Sequence, residues 1–173
     1  MNIQSSPLVQ SPHELDFISH SPAQTLRVGR RLGELLNRGD LILLLGEFGV
    51  GKTQLVKGIA QGLGSDDVVN SPSFVLINEY RAGAQRGGFP IYHIDLYRID
   101  DQAELAGIGL DDALTGDGVC VIEWAERAHD WLPDDRLAIS MRHLSETKRV
   151  LRFVPYGTHY LTLVESFKRA AFA

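Results

Sequence analysis

A chain of 173 residues with 44% apolar and 23% charged side chains has the size and composition of one globular domain with a full core. Its formal net charge of −5 argues against a global basic field for nucleic acid, and no apolar run approaches a membrane span. The single cysteine, Cys120, excludes an internal disulfide partner and suits a reducing cytoplasm; inside the apolar run "VCVIEW" it is expected as a buried core thiol and not a nucleophile.

The opening "MNIQSSPLVQSP" has neither a basic n-region nor an apolar h-region, so a secretory signal is not expected. Residues 1–14 read as a loosely ordered tail and residues 15–173 as the domain, with no internal repeat or low-complexity linker. Ser21-Pro22 predicts an N-cap and first helical position, with Leu26, Leu32, Leu35 and Leu36 on the apolar side and Gly39 at the end. Leu41–Leu45 is a continuous apolar run, the pattern of a strand buried on both faces. Past a glycine-rich loop, Leu55, Val56, Ile59, Ala60 and Leu63 recur at helical spacing until Gly64.

"SFVLINEY" (Ser73–Tyr80) and "IYHIDLY" (Ile91–Tyr97) are β-like, and the turn-rich "RAGAQRGGFP" between them predicts a hairpin with a long loop. Asp101 and Glu104 fit a capping box opening a short helix. Val119–Trp124 is a second buried strand, "RLAISMRHL" and "KRVLRFV" an antiparallel pair, and Thr158–Phe172 a helix with Tyr160, Val164, Phe167 and Ala171 toward the core. The order predicts an α/β fold: a single domain with a mixed parallel and antiparallel central sheet flanked by helices.

The loop itself matches G-x-x-x-x-G-K-[ST], in the required context of a buried strand before and a helix after. Such a loop brings backbone N–H groups up to phosphate oxygens, and its glycines leave no Cβ in the way. Gly46, Glu47, Phe48, Gly49, Val50, Gly51, Lys52, Thr53 and Gln54 are therefore the expected phosphate-binding segment of a P-loop NTPase. Lys52 reaches the β and γ phosphates as a mobile charge and the Thr53 hydroxyl ligates Mg²⁺.

A Mg²⁺–nucleotide site needs a further carboxylate at the end of a nearby strand. Asp95 after "IYHI" and Glu123 after "VCVI" both qualify, each an acid whose burial without a partner is costly. His93, Asp95 and Tyr97 alternate, so on a regular strand they share one face; they form either a polar wall beside the phosphates, or His93 is a hydrogen-bonded core residue. "NSPSF" (Asn70–Phe74) stands where GTPase-like proteins place a switch, with Ser73 as the Mg²⁺-contacting hydroxyl, although Asn-Ser-Pro is also ordinary turn chemistry. No Cys/His cluster has zinc spacing and no nucleophile elbow occurs.

In this order and spacing "GEFGVGKT", "SPSF", "HIDLYR" and "EW" resemble the bacterial TsaE family, formerly called YjeE, from about Leu15 to the C-terminus. The P-loop is shared by many proteins; "H-x-D-x-Y-R" between a P-loop and "E-W" is far more specific. The resemblance implies a small ATPase, weak alone, required for threonylcarbamoyladenosine formation at position 37 of tRNAs that read ANN codons. It implies ATP and Mg²⁺ as cofactors and TsaD and TsaB as partners, with tRNA met only through that complex. The resemblance further implies that the threonylcarbamoyl-adenylate is made elsewhere, by TsaC, and that the ATPase resets the transferase between turnovers. By position it implies Lys52 and Thr53 on phosphate and Mg²⁺, Asp95 as the carboxylate for Mg²⁺ and hydrolysis, and Glu123 and Trp124 beside the nucleotide. Ser73 stands where the family usually has threonine: the hydroxyl survives and the χ1-stiffening methyl is lost.

Two other readings compete. A small-molecule kinase needs lid arginines, and only the short loop Arg81–Arg86 offers them; a nucleotide-dependent adaptor needs binding without turnover. A GTPase is disfavoured because no [NT]-K-x-D motif occurs. Arg149, Arg152, Lys168 and Arg169 can form a modest basic patch, though such a set is more often a solvated face.

Overall fold

The computed structural model describes residues 13–72 and 76–171. The two uninterrupted apolar runs become central strands, β2 (Leu41–Gly46) and β5 (Val119–Glu123), paired in parallel with Leu44 opposite Glu123. Between the first of them and β1 (Leu15–Ser19) comes α1 (Pro22–Gly33), and α2 (Lys52–Gly62) follows β2. The remaining strands are β3 (Ile77–Arg81), β4 (Pro90–Asp95), β6 (Arg136–His143) and β7 (Arg149–Tyr156), with α3 (Leu110–Thr115) before β5 and α4 (Thr158–Ala171) at the end.

The sheet order is β1-β7-β6-β2-β5-β4-β3. Strands β4, β5, β2 and β6 are mutually parallel, while β3, β7 and β1 add antiparallel edges. Four C-terminal strand ends thus meet at one end of the sheet, where open α/β sheets hold their ligands. Both faces are covered. Ile42, Leu44, Val121 and Ile139 pack with α1, α2 and α4, and Leu43, Ile94, Cys120 and Ile122 pack with α3 and the 3-10 turns Gln102–Gly107 and Ala125–Trp131. Each such side chain, fully buried, contributes about 1.5–3 kcal/mol.

Helices α1 and α2 approach so closely that only glycine fits between them. A Cβ on Gly29 would lie 2.3 Å from the Leu55 carbonyl oxygen and one on Gly33 2.2 Å from that of Ile59. Reciprocally, Gly58 and Gly62 would each meet a carbonyl oxygen, of Leu26 and Arg30, at 2.1 Å. Two glycines four apart on each helix share a face, so the stripes interlock. This contact seats the P-loop helix on the sheet.

The antiparallel pairing of β3 with β4, the antiparallel pair β6 and β7, the buried Cys120 and the core face of α4 follow the expected pattern, although β3 runs from Ile77 to Arg81 and not from Ser73. Ser21 caps α1 by accepting from the Gln24 N–H at 3.1 Å, but the helix ends at Gly33, six residues before Gly39. Leu36 is buried beyond the helix, in the turn held by Asp40, whose Oδ2 accepts from the Asn37 N–H at 2.7 Å. Asp101 and Glu104 do form the reciprocal cap, at 2.9 and 3.1 Å, opening a 3-10 turn. Strand β4 stops at Asp95, so Tyr97 lies past its end. Strand β1 was not expected: only five residues long and half polar, it is held by non-local pairing with β7 and the bidentate Arg152–Asp16 contact, 2.8 Å at each oxygen. The expected tail falls mostly, and Ser73, Phe74 and Phe172 wholly, outside the described residues.

Candidate functional site

The loop from β2 to α2 turns on glycines that adopt backbone angles a side chain would strain. Gly46, Gly49 and Gly51 have φ of +147°, +78° and +110°, and Gly51 is the N-cap of α2. A Cβ on Gly46 would sit 2.5 Å from the Met141 carbonyl oxygen of β6, so the loop's start is glycine for a second reason. Val50 is buried beneath the loop, its carbonyl accepts from Arg149 Nε at 3.1 Å, and it does not line the cleft. Phe48, 78% exposed, stands out from the tip.

Lys52 opens α2 and curls back over the loop. Its ammonium donates to the carbonyls of Gly46 at 2.6 Å and Glu47 at 2.9 Å and lies 4.6 Å from the Trp124 ring centroid. Burial lowers its pKa, and the carboxylates of Glu123, Asp95 and Glu126 work the other way. With Lys52 only 5% exposed, its ammonium, held by two carbonyls and an aromatic face, is positioned to exchange those neutral partners for an anion.

A cleft of about 380 Å³ opens beside it, lined by Phe48, Gly49, Gly51, Lys52, Thr53, Ser71, Asp95, Tyr97, Glu123 and Trp124. Asp95 and Glu123 are register partners at the C-terminal ends of β4 and β5, 3% and 4% exposed. Asp95 Oδ1 accepts from the Tyr97 N–H at 2.9 Å, fixing the carboxylate against the turn that follows β4. Glu123 Oε1 lies 2.7 Å from His93 Nε2. Trp124 has a positive φ of 56°, which turns the chain directly after Glu123 and brings its ring to 5.0 Å from Tyr97, itself 6.1 Å from Phe48.

The structure therefore brings Lys52, Thr53, Asp95, Glu123 and Trp124 to one cleft with the loop's Phe48, Gly49 and Gly51. Gly46 and Glu47 present carbonyls to Lys52. Gln54 lines a different cavity, of about 450 Å³, on the loop's other flank with His20, Thr25, Thr147 and Arg149. Ser73 lies outside the described residues, and Ser71, which sequence reasoning passed over, lines the cleft. His93 is fully buried between Glu123 and the Tyr80 hydroxyl: it is the hydrogen-bonded core histidine and not part of an open wall. Among the described residues no group of three or more His, Cys, Asp or Glu is placed to cage a metal by itself. Two carboxylates and a hydroxyl beside a phosphate-type loop nonetheless fit Mg²⁺, which usually takes few protein ligands and completes its shell with phosphate and water.

The loop Arg81–Arg86 is no lid for this cleft. It joins β3 to the start of β4, at the opposite end of the parallel strands from the P-loop, and Arg86 donates to the carbonyls of Glu34 and Leu36. The basic residues also disperse: Arg152 is paired with Asp16, Lys168 with Glu165 at 3.0 Å, and Arg149 holds the β6–β7 turn and Val50. No helix among the described residues is long and apolar enough to cross a membrane.

The comparisons with known proteins point to one family. The family model for threonylcarbamoyl adenosine biosynthesis protein TsaE matches residues 19–151. The tRNA threonylcarbamoyladenosine biosynthesis protein TsaE of Bacillus subtilis (strain 168) is 36% identical over 156 residues, 90% of this chain and 95% of that protein. The protein of the same name from Treponema pallidum (strain Nichols) is 39% identical over 132 residues, 76% of this chain and 94% of that one. The crystal structure of YdiB from Bacillus subtilis superposes with a TM-score of 0.78 at 32% identity, covering 91% of this chain and 96% of that one. With its P-loop, its paired strand-end acids and these relatives, the chain belongs to the TsaE family.

Proposed function

We propose that this chain binds Mg²⁺–ATP in the cleft between the P-loop and the ends of β4 and β5, and hydrolyses it in the service of tRNA threonylcarbamoyladenosine biosynthesis. The observation that carries the reading is the convergence of Lys52, Asp95 and Glu123 in one cleft at the end of the parallel strands. Family membership supplies the biosynthetic role.

In this reading the backbone of Gly49–Gly51 and the start of α2 hold phosphate, and Lys52 leaves its two carbonyls for the β and γ oxygens. Thr53 and Asp95 hold Mg²⁺, which neutralises charge on those oxygens, with Ser73 a further candidate ligand. Glu123, hydrogen-bonded on its far side, orients the attacking water. Trp124, Tyr97 and Phe48 wall the cleft on its aromatic side.

Among the described residues no arginine lines the cleft, so little there stabilises negative charge developing on the transferred group. Slow hydrolysis by the isolated chain follows, with acceleration by a partner complex of TsaD and TsaB, through which tRNA is met. Such transition-state assistance is worth about 10³–10⁵ in rate when a partner supplies it. The test is steady-state phosphate release with and without the purified complex. Acceleration by the complex supports the reading; ADP formation that depends instead on a small acceptor identifies a kinase, and tight binding without turnover identifies an adaptor.

A further inference from the structure

We propose that His93 and Tyr80 are positioning residues that tie the Glu123 carboxylate to the Asn70 peptide, so that the two walls of the nucleotide cleft hold a single spacing. This deepens the ATPase reading above and rests on it for the catalytic consequence. The chain of contacts is continuous: Glu123 Oε1 to His93 Nε2 at 2.7 Å, His93 Nδ1 to the Tyr80 hydroxyl at 3.1 Å, and that hydroxyl to the Asn70 carbonyl oxygen at 3.0 Å. The Asn70 N–H donates back to the same hydroxyl at 3.3 Å, and Asn78 Nδ2 braces the Asn70 carbonyl at 3.2 Å.

The contacts come from different elements. Glu123 ends β5, His93 sits in β4, Tyr80 in β3, and Asn70 precedes Ser71, which lines the cleft with Glu123. The relay therefore runs across the sheet and returns to the cleft from its other side. A carboxylate only accepts, so Nε2 of His93 carries the proton toward Glu123. Nδ1 then accepts the single hydrogen of the Tyr80 hydroxyl, the Asn70 N–H donates to that hydroxyl, and Asn78 Nδ2 serves the Asn70 carbonyl, so each contact in the line has one proton. His93 and Tyr80 are 0% and 5% exposed, so water does not readily substitute for a lost contact.

Tyr80→Phe removes one oxygen, keeps the ring, and cuts the relay at its middle. In phosphate release with the partner complex present, kcat is expected to fall about tenfold or more while KM for Mg²⁺–ATP stays within about twofold, since misplacement acts on the reacting geometry. A second readout needs no turnover. In ¹⁵N spectra of the full chain, Glu123→Gln is expected to shift the Asn70 and Ser71 amide resonances in the otherwise unaltered protein and to leave them in place in the Tyr80→Phe background. An unchanged kcat in Tyr80→Phe, or equal amide shifts in both backgrounds, overturns the proposal. If the unaltered chain releases no phosphate with or without partners, the ATPase reading fails, and the resonances still decide the coupling.

Discussion

Asp95 and Glu123 are opposite each other on adjacent parallel strands, and the electrostatics of both act on the ammonium of Lys52. Their surroundings differ. Asp95 is held by the peptide N–H of Tyr97, next to the turn, and Glu123 by the imidazole of His93, within the sheet. In the proposed function that difference gives them different tasks. Asp95→Asn is expected to weaken both the Mg²⁺ dependence and the rate, whereas Glu123→Gln lowers the rate and leaves ATP binding nearly intact. Mg²⁺ titrations of rate and of nucleotide binding check both, and the reverse pattern exchanges the roles.

In the proposed function Lys52→Ala removes the charge directed at phosphate. A charge-assisted contact of this kind is worth about 1.5–3 kcal/mol, so ATP affinity is expected to fall roughly ten- to a hundredfold. Calorimetric titration measures it. Equal affinity in the two proteins would remove the phosphate-binding assignment of the loop.

The glycine contact between α1 and α2 makes a stability prediction independent of nucleotide. Gly58→Ala places a Cβ 2.1 Å from the Leu26 carbonyl oxygen, and neither helix backbone can yield without repacking. A loss of about 1–3 kcal/mol or more in denaturant unfolding is expected. Gly107→Ala, where nothing lies within 4 Å, serves as the control and is expected to stay within about 0.5 kcal/mol.

Burial pushes the Cys120 thiol from its ordinary 9.0 up to about 12, and burial likewise pushes the Tyr160 hydroxyl from 10.0 to about 12. Between these limits the unfolded chain binds fewer protons than the folded one. Stability is therefore fully present below pH 9 and falls as pH rises from about 9 toward 12. Cys120→Ala is expected to make that fall shallower, read from denaturant midpoints at pH 8, 9, 10 and 11. In the unaltered protein at pH 8, thiol reagents are expected to label Cys120 only after unfolding.

The P-loop and its flanks were legible in the sequence because everything that defines them is contiguous: an apolar strand, glycines that tolerate positive φ, and a helix opening at Lys52. The central strands were legible because burial on both faces leaves unbroken apolar runs. Asp95 and Glu123 could each be picked out as an acid following such a run, but not as neighbours, since that depends on β4 lying beside β5 in the sheet order. Alternation placed His93 on the same face as Asp95 without showing what closed over it; the Tyr80 hydroxyl arrives from an antiparallel partner strand. Strand β1 carried too weak a pattern to be seen alone, and the glycine spacing in α1 and α2 has meaning only once the helices touch. Local backbone preference and hydrophobic period are written residue by residue. Strand order, helix contact and the meeting of side chains distant in the chain are properties of the packed whole, and those decided which polar groups share the cleft.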